Sequence, residues 1–179
     1  MQVMGISGMP GAGKALVSEI AGEKGVMTVS MGDIIREEAK KRGEPSKETA
    51  KNLRKEHGDF IVAELTVKKI KKIIEDGFES SIIIDGIRSP FEVNLFKENF
   101  DDFIVLSIFA NPKIRFERIK TRNREDDTTD YEVFAQRDKN ELGFGIGEVI
   151  ALSDKLIVNE SDLESHEKEI RKFLEEFDI

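Results

Sequence analysis

Short apolar runs take turns with longer stretches in which apolar residues recur every third or fourth position, and each change of period marks a boundary between elements. Gln2 to Ser7 (QVMGIS) is a short apolar run leading into glycine, and Lys14 to Ala21 has helical spacing, so the chain opens strand, loop, helix. Val26 to Ser30 (VMTVS) predicts a second short strand. Asp33 to Lys41 favours helix until Gly43 and Pro45 break it. A longer helical stretch from about Ser46 to Glu75 then buries Leu53, Phe60, Ile61, Leu65 and Ile74, with Gly58 kinking or dividing it. Ser81 to Ile84 (SIII) and Phe103 to Phe109 (FIVLSIF) are continuous in apolar residues, as central parallel strands tend to be. Asn111 and Pro112 form a cap and first-turn pair for a helix through about Thr121. Asn123 to Asp130 (NREDDTTD) is polar and without period, which predicts an exposed loop; a helix from about Tyr131 to Leu142 comes next, then GFGIG. Lys155 to Val158 predicts a last short strand. Leu163 to about Phe177 predicts a charged amphipathic helix that packs Leu163, Ile170, Phe173, Leu174 and Phe177 on the sheet. Strands alternating with helices imply a parallel sheet covered on both faces.

The length supports one good core and leaves little for a second, so 1–179 reads as one domain. There is no run of about eighteen apolar residues, and the opening MQVMGISGMPGAGK lacks a basic segment followed by an apolar stretch. Neither membrane insertion nor secretion is expected, and the expected compartment is the cytoplasm. Without cysteine there is no disulfide and no thiolate chemistry; with only His57 and His166, both assigned to structure, no nitrogen-and-sulfur zinc site is expected. The net charge of -8 and pI near 5.0 argue against binding nucleic acid by bulk electrostatics, and a single Tyr with no Trp offers no interleaved basic and aromatic stripe. A local basic pocket remains compatible with that charge. Charged residues make up 36% of the chain, rich in Lys and Glu, a composition frequent in thermophile proteins.

Gly8-Met9-Pro10-Gly11-Ala12-Gly13-Lys14-Ala15 fits G-x-x-x-x-G-K up to its last position and stands between a predicted strand and a predicted helix, the context that motif requires. Its glycines let backbone N–H groups turn inward around phosphate oxygens with no Cβ in the way, and the helix after it adds its positive end. Lys14 supplies a mobile full charge for β and γ phosphates. Ala15 departs from the usual Ser or Thr whose hydroxyl reaches Mg²⁺. The loop resembles the adenylate kinase form G-x-P-G-x-G-K-G, which also lacks that hydroxyl and holds the metal largely through water. In that family Thr normally comes next, where this chain has Leu16, so only a backbone donor is left there.

Ser30 to Arg36 (SMGDIIR), Ile84 to Arg88 (IDGIR), Glu117 to Asp127 (ERIKTRNREDD) and Asp154 to Asn159 (DKLIVN) extend the likeness over nearly the whole chain. Together they resemble the nucleoside monophosphate kinases and their relative dephospho-CoA kinase. The sequence is also similar to a group of uncharacterised archaeal proteins described as adenylate-kinase-related, a description that implies a fold and ATP binding and leaves the substrate open. The resemblance implies that Asp33 and Arg36 belong to the acceptor side, Arg36 binding the acceptor's phosphate; the other reading of Arg36 is a surface arginine after a strand-to-helix turn. Asp85, at the end of a buried strand, suits a water-mediated grip on magnesium, and Arg88 makes a second fork onto the acceptor phosphate. Arg118 covers the adenine and Arg122 reaches phosphate from the helix leading into a lid. Arg124 and Arg137 stand where further lid arginines would, and Arg115 reads as a solvated charge. Asn159 either reads the base or caps the last helix.

These readings imply an α/β, three-layer P-loop fold with a five-stranded parallel sheet in the order 2-3-1-4-5, the order coming from the resemblance. They add an acceptor-binding helical insertion over 32–75 and a short lid over 122–137. The implied cofactors are ATP, cradled by Gly8 to Leu16, and Mg²⁺. The implied reaction is γ-phosphoryl transfer to a small nucleotide, a nucleoside monophosphate first, or dephospho-CoA with Asp33 as base. Ala15 and Leu16 motivate the rival of an ATP-dependent switch that transfers nothing. No nucleic-acid or membrane partner is expected.

Overall fold

The apolar runs become the strands of a single sheet in the computed structural model, which describes residues 1–122 and 127–177. The strands are β1 (Val3–Ser7), β2 (Met27–Ser30), β3 (Ile82–Ile87), β4 (Ile104–Phe109) and β5 (Lys155–Val158). Every pairing is parallel and the order is β2-β3-β1-β4-β5. The described helices are α1 (Ala15–Glu23), α2 (Met31–Arg42), α3 (Ser46–His57), α4 (Ile61–Glu75), α5 (Pro90–Asn99), α6 (Pro112–Arg122), α7 (Tyr131–Gly143), α8 (Ile146–Ala151) and α9 (Leu163–Glu176).

Because side chains alternate across a strand, each apolar run feeds two cores. Met4, Ile6, Ile83, Leu106 and Ile108 pack with Val17 and Ile20 of α1 and with Ile170, Phe173 and Leu174 of α9. Val3, Ile82, Ile84 and Val105 face the other way, onto Val62 and Ile70 of α4, Phe96 of α5 and Val149 of α8. This is a three-layer α/β P-loop fold. Its order reverses direction at β1, whose neighbours are β3 on one side and β4 on the other, and the crevice at such a switch point is where open α/β sheets hold ligands.

Several sequence expectations need correction. Gly58 divides the long helical stretch, leaving α3 with a φ of 95° and resetting the phase at which α4 begins. Phe60 therefore lies ahead of α4, exposed and against the ring of Phe91, while Val62, Ala63, Thr66, Val67 and Ile70 form the buried stripe; Ile61, Leu65 and Ile74 are half-buried. The apolar run of β3 continues through Asp85 to Ile87, so Asp85 sits inside the strand rather than at its end. Leu163, expected on the sheet, is exposed at the first position of α9, and Phe177 is only partly buried. Helices α5 and α8 had no counterpart in the sequence reading. The start of α5 is written locally, with Ser89 accepting from the Glu92 N–H, Pro90 in the first turn and the Glu92 carboxylate accepting from the Ser89 N–H.

Candidate active site

The loop between β1 and α1 turns back over the end of the sheet with Gly8, Gly11 and Gly13 all at positive φ. At all three a side chain is excluded by packing as well, at Gly11 by the Arg115 carbonyl oxygen of α6. A Cβ on Gly8 would collide with the Ile108 carbonyl oxygen of β4, and one on Gly13 with the amide of Asn159. Hydrogen bonds to loop carbonyls hold the shape, among them the Ala12 N–H to Met9 O (3.1 Å), Asn159 Nδ2 to Ala12 O (2.8 Å) and Arg115 Nη1 to Pro10 O (3.1 Å). Asn159 is thus a buried brace on the loop and caps nothing; Asp162 caps α9 by accepting from the Ser165 N–H.

Arg115, read from the sequence as a solvated charge, is one of the most buried polar residues of the protein. Its Nη1 and Nη2 pair with Asp138 of α7 at 2.9 and 2.6 Å, its Nε donates to Ala110 O, and its guanidinium lies over the Phe134 ring. A guanidinium with all these partners is an interior tie between α6, α7 and the loop.

Lys14 precedes α1 and folds back, donating from Nζ to Gly8 O at 2.6 Å and to Met9 O at 3.4 Å. Burial lowers its pKa to about 8, with Asp85 pulling the other way and Arg88 adding to the fall. Asp85 lies level with Ile6 of β1 and Ser30 of β2, and its Oδ1 is buried with no hydrogen-bond partner. A buried, unspent carboxylate oxygen beside a phosphate-type loop fits a hydrated divalent cation. Among the described residues no group of three or more His, Asp or Glu side chains could by itself hold a metal ion.

A cleft of about 240 Å³ opens over the loop and gathers five cationic side chains, Lys14, Arg36, Arg88, Arg122 and Arg137, against two carboxylates, Asp85 and Glu141. It shares Gly32, Arg36, Arg88, Arg137 and Glu141 with a wider cleft of about 950 Å³ between α2–α3 and α7. The expected site residues from distant parts of the chain are therefore brought together, with partners that sequence reasoning missed. Arg88 Nε lies 3.3 Å from Glu141 of α7, whose carboxylate is mostly buried. Arg36 is held by Asp33 (Nε 2.9 Å, Nη2 2.5 Å) and Arg122 by Asp127 (Nε 3.1 Å, Nη2 2.6 Å). Phe134, Asp138 and Glu141 share one face of α7 at i, i+4 and i+7, so two carboxylates continuing a buried aromatic's stripe were the available signal. Arg124 lies outside the described residues.

On the other side of the loop, Arg118 donates from Nη2 to Asn159 Oδ1 (3.2 Å) and lines a separate groove of about 330 Å³ with Leu16 and His166. Leu16 thus faces this groove, and Ala15 beside it is exposed. Among the described residues, no helix is long and apolar enough to cross a membrane.

The fold is shared with a shikimate kinase from Bacteroides thetaiotaomicron (TM-score 0.62, 16% identity, 99% of each chain) and a sugar kinase from Janibacter (TM-score 0.68, 14% identity, 100% of this chain and 95% of that one). A family model described as AAA domain matches residues 7–134, from the end of β1 into α7. The UPF0200 protein of Methanothermobacter thermautotrophicus is 48% identical over 97% of this chain and 90% of its own length. The UPF0200 proteins of Methanocaldococcus jannaschii and Pyrococcus furiosus are each 42% identical, over 98% and 94% of this chain and 90% and 94% of their own lengths. Identity at that level along almost the full length of both partners makes this protein a member of the UPF0200 family, carried on an AAA domain with the P-loop fold.

Proposed function

We propose that the protein is an ATP-dependent phosphotransferase whose acceptor is a small nucleotide, a nucleoside monophosphate in the first place. One observation carries the reading: on a chain of net charge -8, five cationic side chains converge on a cleft whose floor is a phosphate-type loop. Arg36, Arg88 and Arg122 are held there by carboxylates, and an incoming phosphate can replace those partners with bidentate, charge-assisted bonds of its own. The motif likeness to adenylate-kinase-related enzymes supports the same assignment.

In this reading the backbone of Gly8 to Leu16 surrounds the donor's phosphates. Lys14 exchanges the Gly8 and Met9 carbonyls for the β and γ phosphate oxygens, a stronger, charge-assisted bond. Asp85, through its unspent Oδ1, would hold Mg²⁺ by way of water, and that ion would supply charge neutralisation at the bridging phosphate oxygens. The acceptor's phosphate draws Arg88 away from Glu141 and takes up Arg36 from the wider cleft. Arg122 and Arg137 bring further positive charge to the equatorial oxygens, with 122–137 acting as the short lid and 32–75 as the acceptor-binding part. Transfer to a phosphate oxygen needs no strong base, which suits this site. The base required for a ribose hydroxyl would be Asp33, and its carboxylate is already engaged by Arg36.

The test is a screen of nucleoside monophosphates and dephospho-CoA, read as ADP release above a no-acceptor control. Stimulation by one or more monophosphates is expected. Stimulation by dephospho-CoA alone would overturn the acceptor class, and ATP binding with no stimulated turnover would favour a switch.

A further inference from the structure

Separated from the reaction cleft by the loop itself, the groove of about 330 Å³ has apolar flanks from Ala15, Leu16 and the exposed Leu163. One wall is the Arg118 guanidinium, of which Nη2 is held by Asn159 while Nη1 is buried with no hydrogen-bond partner. At the bottom lies His166, 2% exposed. Neither of its ring nitrogens completes a hydrogen bond, and Nε2 lies close behind Gly13, the last glycine of the loop. Burial lowers the His166 pKa, with the Gly13 backbone opposing and Arg118 adding to the fall. A neutral imidazole presents one donor and one acceptor, and leaving both short of a full hydrogen bond in an interior position costs free energy that the nearby Gly13 backbone offsets only in part. An apolar slot walled by a guanidinium and ending in an unused donor and acceptor matches a planar heterocycle with a polar edge.

We propose that His166 is the polar group through which this groove holds the heterocyclic base of the donor nucleotide. The inference rests on the donor site described above and adds to it a specificity-determining residue on α9. His166 touches the donor at the end remote from the transferred phosphate, so its contribution goes to donor affinity and base choice.

The chain has two histidines, and His57 is exposed on α3, so the wild-type protein supplies its own reference in an NMR titration of the imidazole rings. ATP and tripolyphosphate, which has the phosphate chain without the base, are the two probes. ATP should shift the His166 ring signals and leave those of His57 in place, while tripolyphosphate binds and moves neither. By calorimetry, His166→Phe should lose about two- to tenfold in ATP affinity, the worth of one neutral hydrogen bond, and nothing for tripolyphosphate. If ATP leaves the His166 signals unmoved, or tripolyphosphate moves them as far, the base contact is wrong and the phosphate site stands. If the wild-type chain binds neither probe, the donor site falls with it. Should His166→Phe not fold, the wild-type titration decides alone.

Discussion

Lys14 is a lysine held in reserve. Its ammonium is tied to two loop carbonyls, and burial leaves its pKa at about 8, below the ordinary 10.5. Triphosphate oxygens arriving beside it favour the charged form and raise that pKa again. ATP binding near pH 8.5 should therefore take up protons, visible as a calorimetric heat that changes with the ionisation enthalpy of the buffer; proton release at that pH would contradict the assignment. The same depressed pKa has a consequence for stability. Between about 8 and 10.5 the unfolded chain binds more protons at this site than the folded one, so this residue's contribution to stability rises with pH across that window. Arg88 gives a separate prediction at the same scale. Arg88→Ala should lower turnover a hundredfold or more, roughly the worth of a charge-assisted contact to the reacting groups, and leave ATP affinity within about threefold. Wild-type turnover and acceptor saturation in the variant would remove Arg88 from the site.

At the level of elements, the tie between α6, α7 and the loop is the feature most exposed to test. Arg115→Ala would leave Asp138 almost buried without its partner and the Pro10 carbonyl without its donor. A destabilisation of about 3–5 kcal/mol is expected, a fall of roughly 6–20 °C in the thermal midpoint. Loss of less than about 2 °C would mean that the pair is a surface bridge of little worth. The element scale also separates what was legible in the sequence from what was not. Continuous apolar runs announced β3 and β4, and the glycines ahead of Lys14 announced the loop, because in each the local composition and the final environment agree. Arg115 was misread because its partners come from Pro10 and Asp138, 105 and 23 residues away, and a helical arginine among other charges carries no mark of burial. Phe60 was misread because a single glycine reset the helical phase. Helix α5 was missed although its Ser-Pro-Phe-Glu start carries a capping signal, and α8 offered no signal, since six residues after Gly145 are too few to set a period.

For the molecule as a whole, the sheet order does what no single motif could. By placing β1 between β3 and β4, it sets the loop after β1 beside Asp85 of β3 and under Asn159 from the end of β5. Candidate residues as far apart in the chain as Ala12 and Asn159 thus meet at one end of the sheet, with the groove of Arg118 and His166 on one side of the loop and the cationic cleft on the other. The likeness to the solved kinases lies at this scale, in the fold, whereas the identity to UPF0200 relatives runs along nearly the whole sequence. Both the proposed transfer and the proposed base contact require the loop from Gly8 to Lys14 to hold a nucleoside triphosphate. Isothermal calorimetry with ATP and magnesium at pH 7, on the wild-type chain and on Lys14→Met, tests this most directly. A saturable one-to-one association that weakens about tenfold or more in the variant is predicted, the loss of a charged hydrogen bond; no association in the wild-type chain, or equal affinity in both, would contradict it.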